Sequence, residues 1–144
     1  MTDNTIIRIA FLSDCKDIAE LLGQLGYPST PSDVEQRLEH LGNLPSEQVL
    51  VAEIDGRVVG LTSVHLTPCL HITGYVGRIT SFVVAAEFRG RGIGSRLFQE
   101  AESWACSRGC TRMGVTSGDY RPGAHRFYEA CGYRCDERRF LKRR

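Results

Sequence analysis

No stretch of this sequence approaches the roughly 18 consecutive apolar residues that a membrane-spanning helix requires. The first residues, Met1 to Thr5, have neither the basic segment nor the apolar run of a signal peptide. The formal net charge is only +1, so there is no overall attraction to nucleic acid or to a membrane surface. These absences predict a cytoplasmic protein without a nucleic-acid or membrane partner.

A zinc-binding pattern is also lacking, although the chain has six cysteines. Cys106 and Cys110 are separated by three residues, as are Cys131 and Cys135, whereas zinc knuckles more often have two intervening residues and many turn residues. Without a secretion signal, disulfides are disfavoured because the cytosol keeps thiols reduced. The sequence therefore predicts free cysteines and no metal.

There is no internal repeat, low-complexity tract or flexible linker that would divide the chain. Its 144 residues fall within the usual size of one domain, about 100–150 residues. A composition of 42% hydrophobic and 24% charged residues is ordinary for a globular protein. We therefore expect a single domain, residues 1–144.

Hydrophobic periodicity predicts the element order βααβββαβαβ, an α/β (α+β) arrangement with a mixed sheet. Strands are predicted at residues 6–10, 48–54, 57–66, 74–85, 113–116 and 133–141. One helix is predicted after Ser13, one after Thr30 or Ser32, one from Gly92 to Arg108 and one over residues 124–131.

A glycine cluster between the fourth strand and the third helix is the sharpest local feature. Gly90, Gly92 and Gly94 alternate with other residues, so the main chain can turn tightly and approach a ligand closely. The helix that begins there presents free N–H groups and the positive end of its dipole, and Arg89 and Arg91 add charge. This pattern predicts an anion-binding site.

Two common anion-binding loops do not fit this cluster. A Walker P-loop requires Gly-Lys-Ser/Thr, and that triplet is absent. The dinucleotide fingerprint has the spacing Gly-x-Gly-x-x-Gly after a first strand, whereas several strands and two helices precede this loop. A third nucleotide-binding module that uses the same loop stays open at this point.

The segment 84–97, with Arg89-Gly90-Arg91-Gly92-Ile93-Gly94 at its centre, resembles the coenzyme A motif of the GNAT superfamily of acyl-CoA N-acyltransferases. About thirty residues later, Phe127-Tyr128-Glu129 followed by Gly132-Tyr133 resembles that superfamily's second signature. The resemblance implies a mostly antiparallel mixed sheet with helices on both faces and splayed central strands.

The resemblance also implies how acetyl-CoA would bind. The strand before the loop is expected to be bulged and splayed, so that its main chain pairs with the pantetheine arm and one amide polarises the thioester carbonyl. The loop and the first turn of the helix would hold the pyrophosphate. The implied cofactor-binding residues are Phe82, Val83, Val84, Arg89, Gly90, Arg91, Gly92, Ile93, Gly94 and Ser95.

Tyr128 matches the tyrosine that many relatives use as the general acid toward the departing thiolate. A phenol with an ordinary pKa near 10 stays protonated at neutral pH and can protonate a thiolate. The alternative is that Tyr128 only packs its helix on the sheet.

The general base is not indicated by the sequence. Many relatives carry a glutamate on the bulged strand, but the matching stretch here is Ile79-Thr80-Ser81, and neither hydroxyl is a base at neutral pH. The candidates elsewhere are Glu53, His65, Asp119 and His125, and a relay through water also remains open. The resemblance implies that acceptor specificity comes from the first two helices, their connection and late loops, here residues 25–31, 67–74 and 117–123.

The resulting prediction is an N-acetyltransferase enzyme that moves the acetyl group of acetyl-CoA directly to a primary amine of a small molecule or peptide. No residue pair resembles an activated nucleophile with its base, which favours direct transfer. The alternative is a coenzyme A-binding regulatory or interaction domain without turnover. The acceptor amine, the range of acyl groups and the oligomeric state, including a homodimer, are left open.

Overall fold

A computed structural model of the chain describes residues 4–116, 122–136 and 139–144. Five strands are present: β1 (Ile6–Ile9), β2 (Glu47–Ile54), β3 (Arg57–Cys69), β4 (Ile72–Val84) and β5 (Cys110–Val115). The α-helices are α1 (Cys15–Leu25), α2 (Pro31–Gly42), α3 (Ile93–Ser107) and α4 (Pro122–Ala130). Two short 3₁₀ turns, Leu12–Asp14 and Ala86–Phe88, precede α1 and the glycine cluster.

The strands form one sheet in the order β1-β2-β3-β4-β5. Successive strands from β1 to β4 are antiparallel, whereas β5 pairs with β4 in parallel. A parallel pair needs a long crossover connection, and α3 provides it here. The predicted fold class, a mixed and mostly antiparallel sheet with helices, is therefore confirmed.

The β2–β3 hairpin follows the sequence prediction. Asp55 and Gly56 both have positive φ, 49° and 82°, as a two-residue type I′ turn requires. The next connection is different from the prediction, because β3 runs on to Cys69 and β4 begins at Ile72. The expected loop at residues 67–74 is thus mostly strand, with a two-residue turn.

Helix starts show one correct and one incorrect prediction. Thr30 caps α2, since its Oγ1 accepts a hydrogen bond from the Asp33 N–H at 3.0 Å and Pro31 is the first helical residue. Ser13 does not cap α1, because the N-cap position is taken by Asp14, the last residue of the preceding 3₁₀ turn. The Asp14 carboxylate makes no capping bond to α1 and instead accepts a hydrogen bond from the Phe11 N–H at 2.7 Å, at the start of the 3₁₀ turn.

Different helices cover the two faces of the sheet. A Cβ added to Gly60 of β3 would lie 3.0 Å from Leu97 Cδ1 and 3.3 Å from Ile93 Cγ2, so this residue faces α3. Side chains alternate along a strand, so Leu61 and Ser63 point to the opposite face, and both are buried. Helix α1 packs against β3 and β4, and α2 packs against β2. We call the two sides the α3 face and the α1/α2 face.

The predicted last strand, residues 133–141, is wrong for the described part of that stretch, 133–136 and 139–141, which forms no strand. Phe140 and Leu141 are 92% and 67% exposed. Residues 136–139 are four consecutive charged residues, which leave no continuous apolar face to pair with the sheet. Sequence alternation was therefore a misleading signal at this end.

Within the described ranges, no helix is long and apolar enough to cross a membrane. All six cysteines are free, and four of them are half-buried while Cys106 and Cys135 are exposed. No group of three or more histidine, cysteine or acidic side chains in the same ranges is placed to hold a metal ion.

Candidate functional site

The free edge of β4 is the starting point of the site. Parallel pairing between β4 and β5 stops at Ile79 and Val115, yet β4 continues to Val84. On its other edge, Phe82, Val83 and Val84 pair with β3. No strand of the described residues pairs with the opposite edge beyond Ile79, so the main chain there is open to an extended ligand.

A β-bulge at Thr80 separates the two halves of β4. Ser81 pairs with Ser63 and Ile79 pairs with Val64, so Thr80 is the extra residue. A bulge bends its strand and increases the local twist. The bulge therefore lies where β4 parts from β5, as the resemblance implied for the strand before the glycine loop.

The loop after β4 leads directly into the first turn of α3. Gly90 and Gly92 have φ of 78° and 80°, and an added Cβ at either position would meet no atom within 4 Å. Glycine is therefore required at both positions by the positive φ of the backbone and not by crowding from neighbouring atoms. The first intrahelical bond runs from the Arg96 N–H to the Gly92 carbonyl, which leaves the preceding N–H groups available to an anion.

Two arginines flank this loop. The Arg89 Nε–H donates to the Val84 carbonyl at 3.0 Å and so ties the loop to the end of β4. The Arg91 guanidinium lies 4.9 Å from the centre of the Phe88 ring. Both residues are exposed, so their positive charges face solvent beside the helix N-terminus.

Gly94 makes room for packing within the protein itself. An added Cβ would lie 2.9 Å from Phe82 Cζ and 3.2 Å from Phe127 Cζ. The absence of a side chain thus lets α3 approach two aromatic rings of the protein itself. The place of Gly94 in the coenzyme site stays a prediction, and the structure adds a packing reason for a glycine at this position.

Five rings form an aromatic cluster on the α3 face: Phe82, Phe98, Phe127, Tyr128 and Tyr133. The Tyr128 ring stacks on Phe98 with centroids 5.7 Å apart and lies 6.2 Å from the Phe82 ring. Aromatic contacts at these distances hold ring orientations. The structure therefore brings the predicted acid Tyr128 next to the predicted pantetheine-binding strand.

Tyr133, the other tyrosine of this cluster, is held in a structural role. Its hydroxyl donates to Glu102 Oε2 at 2.8 Å. Burial, together with the nearby Glu102 carboxylate, raises the pKa of Tyr133 well above its ordinary value. This hydroxyl therefore stays protonated and committed to Glu102.

The candidates for a general base are placed very differently. Glu53 accepts a hydrogen bond from the Arg8 Nε–H at 2.9 Å and belongs to an ion-pair network. Asp119 lies outside the described residues, and His125 lies on α4. His65 lies on β3 and forms hydrogen bonds with Glu47 and Thr80.

Sequence reasoning did not find Glu47. It considered Thr80 only as a general base and excluded it, because a hydroxyl is not a base at neutral pH. Glu47 pairs with His65 across β2 and β3, because a bulge at Val59 moves the register by one residue. Counting back from the Asp55–Gly56 turn would place Glu47 opposite Val64 instead. No signal in the sequence marks that bulge.

Comparisons with known proteins agree with this geometry. The sequence profile of the acetyltransferase (GNAT) family matches residues 14–133. The chain is 36% identical over 98 residues to aminoalkylphosphonate N-acetyltransferase from Salmonella typhimurium. That match covers 68% of this chain and 64% of the Salmonella enzyme.

Solved structures share the fold over nearly the whole chain. A transcriptional regulator from Bacillus halodurans superposes with a TM-score of 0.89 and 25% identity, over 97% of this chain and 99% of its own. The aminoglycoside N-acetyltransferase AAC(6′)-Iy, solved in complex with CoA, superposes with a TM-score of 0.87 and 18% identity, over 100% and 97%.

Proposed function

The chain belongs to the acetyltransferase (GNAT) family, and from this premise we propose that it transfers the acetyl group of acetyl-CoA directly to a primary amine of a small molecule or peptide. The observation that carries this proposal is the open edge of β4 together with the free N–H groups at the start of α3, which follows β4 after a 3₁₀ turn and the glycine loop. These two sets of main-chain groups suit one long ligand with a phosphate end.

In this proposal the pantetheine arm pairs with the main chain of Phe82, Val83 and Val84 as an added strand would. The pyrophosphate lies against the N–H groups from Arg91 to Ser95, where the helix dipole and the exposed arginines favour negative charge. The residues present therefore fit coenzyme A.

The transfer forms one bond and breaks one. The amine nitrogen attacks the thioester carbonyl carbon, the C–S bond breaks, and the sulfur leaves with its electron pair. We propose that the Tyr128 hydroxyl supplies the proton for that thiolate, because its ring lies beside Phe82. An amide of the open strand edge would stabilise the negative charge on the carbonyl oxygen.

For the acceptor, we propose an amine that also carries an anionic group. The Salmonella relative acts on aminoalkylphosphonates according to its name. In this chain Arg78 is exposed on β4, two residues before the bulge, and pairs with His65 on the α1/α2 face. A guanidinium there suits bidentate recognition of a phosphonate.

For the cellular location, we propose the cytoplasm, because six free thiols suit its reducing conditions.

The second candidate is a coenzyme A-binding regulatory domain without turnover. It is favoured by one observation, the fold shared with the Bacillus transcriptional regulator. The two candidates predict equal coenzyme binding and differ in whether an amine releases free CoA.

A thermal-shift assay followed by an amine panel tests these proposals. At about 100 times its dissociation constant, acetyl-CoA should add roughly 2.7 kcal/mol to the free energy of unfolding, and NAD and ATP should add much less. The panel should include an aminoalkylphosphonate, an aminoglycoside and a peptide amine, with CoA release as the readout. Binding without release for any amine would favour the regulatory candidate, and equal stabilisation by ATP or NAD would overturn both.

A matched pair of variants locates the coenzyme. Gly92→Val places a β-branched residue at a φ of 80°, so it should distort the loop and reduce the acetyl-CoA shift. Gly114→Val is the control, because an added Cβ there meets no atom within 4 Å and its φ is not positive. If both variants keep the full shift, the glycine loop is not the coenzyme site.

A further inference from the structure

A chain of polar side chains crosses three strands on the α1/α2 face. Glu47 Oε1 of β2 bonds to His65 Nδ1 of β3, and His65 Nε2 bonds to Thr80 Oγ1 of β4. Thr80 Oγ1 also lies 3.1 Å from Ser63 Oγ. Both ring nitrogens of His65 therefore have partners, and the imidazole is fixed between a carboxylate and a hydroxyl.

Accessibility increases along this chain toward Thr80. The Glu47 and His65 side chains are 12% and 27% exposed, and Thr80 is exposed. A small molecule that reaches the sheet from this face would therefore meet the Thr80 hydroxyl first. The histidine lies behind it and the glutamate behind the histidine.

The bulge places this hydroxyl close to the reaction site of the proposed function. Thr80 is two residues before Phe82, a separation of about 6–7 Å along an extended strand. Helix α1 packs against β4 on this face, and the Gln24 side-chain oxygen ties it to the segment after β4 by accepting a hydrogen bond from the Ala86 N–H at 3.1 Å.

The polar chain and Tyr128 lie on opposite faces of the sheet. Tyr128 belongs to the aromatic cluster on the α3 face, whereas Ser63 and His65 point to the α1/α2 face. A thioester bound along the edge of β4 would lie between them. An attacking amine and a departing sulfur likewise occupy different sides of a tetrahedral intermediate.

From this geometry we infer that Thr80, His65 and Glu47 form the proton relay that deprotonates the acceptor amine, and this inference rests on the proposed acetyl transfer. When the amine nitrogen bonds to the carbonyl carbon, its surplus proton passes to Thr80 Oγ1. Thr80 at the same time passes its own hydroxyl proton to His65 Nε2. The electron pair of the C–S bond leaves with sulfur, which takes a proton from Tyr128.

Each member of the relay has a separate role. Thr80 contacts the amine, so it is the catalytic residue of the three, although a hydroxyl alone is not a base at neutral pH. His65 accepts the proton, because its Nε2 faces the Thr80 hydroxyl while its Nδ1 faces the Glu47 carboxylate. Glu47 is a positioning residue that fixes the Nδ1–H tautomer and stabilises the imidazolium.

The charged groups around His65 are compatible with this role. Glu47 faces it from β2 and is its ion-pair partner when the ring is protonated. Arg78 is its cross-strand neighbour on β4, and the Arg78 guanidinium donates to Thr116 Oγ1 at 2.8 Å. The hydrogen bonds of the ring run to Glu47 and Thr80, so the carboxylate controls its orientation.

The test compares His65→Gln, Thr80→Val and Thr80→Ser with the unaltered chain, using acetyl-CoA and the amine of the panel that releases CoA fastest. His65→Gln should lower kcat by about 10²-fold or more, which is the usual effect of losing a general base. Thr80→Val should give a similar loss, and Thr80→Ser should recover most of the rate because it restores the hydroxyl. The acetyl-CoA thermal shift should be unchanged in all three.

The pH profile separates a chemical role from a structural one. The rate of the unaltered enzyme should level off at high pH, whereas the rate of His65→Gln should continue to rise as hydroxide increases. His40→Gln is the control, since His40 is exposed in the last turn of α2. Full activity of His65→Gln at every pH would overturn the relay while leaving acetyl transfer intact. An unaltered chain that binds acetyl-CoA but acetylates no amine would overturn the proposed function and the relay with it.

Discussion

At the scale of single residues, the two tyrosines of the aromatic cluster show how similar side chains differ in role. Tyr128 lies beside the proposed thioester site, and Tyr133 donates its hydroxyl to Glu102. Both rings pack against Phe98, so the two tyrosines differ in what their hydroxyl groups do. Removal of each hydroxyl therefore separates chemistry from stability.

We expect Tyr128→Phe to lower kcat by about 10²-fold, near the lower limit for losing a general acid, since a thiolate is a fair leaving group. The ring contacts with Phe98 and Phe82 remain, so acetyl-CoA affinity should hardly change, which marks an interaction made mainly in the transition state. Steady-state kinetics with titrated acetyl-CoA provide the measurement.

Tyr133→Phe is the matched control for this prediction. It should lower the free energy of unfolding by about 1 kcal/mol through the lost hydrogen bond, without a comparable loss of kcat. Unchanged turnover in Tyr128→Phe, when chemistry limits the rate, would remove Tyr128 from the mechanism. The coenzyme site would not be affected by that result, because it rests on β4 and the glycine loop.

At the scale of elements, the packing of α3 against the aromatic cluster depends on Gly94. Its added Cβ would lie 2.9 Å from Phe82 Cζ, which is closer than side chains normally approach. Gly94→Ala should therefore lower the free energy of unfolding by about 1–3 kcal/mol, as overpacking commonly does. Denaturant unfolding at fixed pH measures the difference.

Gly23→Ala in α1 gives the comparison for a helix glycine without crowding. An added Cβ at Gly23 meets no atom within 4 Å, so this variant should gain about 0.5–1 kcal/mol from the reduced freedom of the unfolded chain. The same substitution is thus expected to have opposite signs in the two helices. Equal stabilisation in both would contradict the close contact of α3 with Phe82.

At the scale of the whole molecule, Arg8 joins β1, the turn before α1 and β2. Its guanidinium donates to both carboxylate oxygens of Asp14, at 2.8 and 3.0 Å, and to Glu53 Oε1 at 2.9 Å. Burial raises the pKa of Asp14, but the hydrogen bonds from Arg8 and the Phe11 N–H outweigh it and hold the pKa below its usual value.

The sign of the pH dependence follows from that direction. A carboxyl group with a lower pKa in the folded state stabilises the fold above the unfolded-state pKa, about 3.9 for aspartate, and loses this contribution as pH falls. Asp14→Asn should lower the free energy of unfolding by about 2 kcal/mol at pH 7, since hydrogen bonds to charged groups contribute about that much. The difference from the unaltered chain should shrink between pH 5 and pH 2.

Denaturant unfolding at a series of pH values checks this prediction. Asp55→Asn is the control, because Asp55 is exposed in a type I′ turn where asparagine is equally favoured. It should leave stability at pH 7 unchanged. A constant difference between Asp14→Asn and the unaltered chain down to pH 2 would contradict the account.

The sequence by itself determined the features that depend on neighbours along the chain. The Asp55–Gly56 turn requires residues that tolerate positive φ, and the cap of α2 requires a side-chain oxygen before Pro31, which Thr30 supplies. The left-handed backbone at positions 90 and 92 requires glycine. Each is a local conformational demand that a few residue types meet, so the residues alone predict it. The family resemblance rested on the same local motifs.

Only the tertiary structure decided features that depend on pairing between distant segments. The bulge at Val59 brings His65 opposite Glu47, and the bulge at Thr80 adds a hydroxyl to the same face. A shift of one residue moves every side chain of a strand to the other face, so no local pattern shows which residues will meet. Pairing within the sheet also decides where strands end. β5 ends at Val115, and the described part of residues 133–141 forms no strand. The open edge and the polar relay are therefore products of register, which the chain acquires only when the strands assemble.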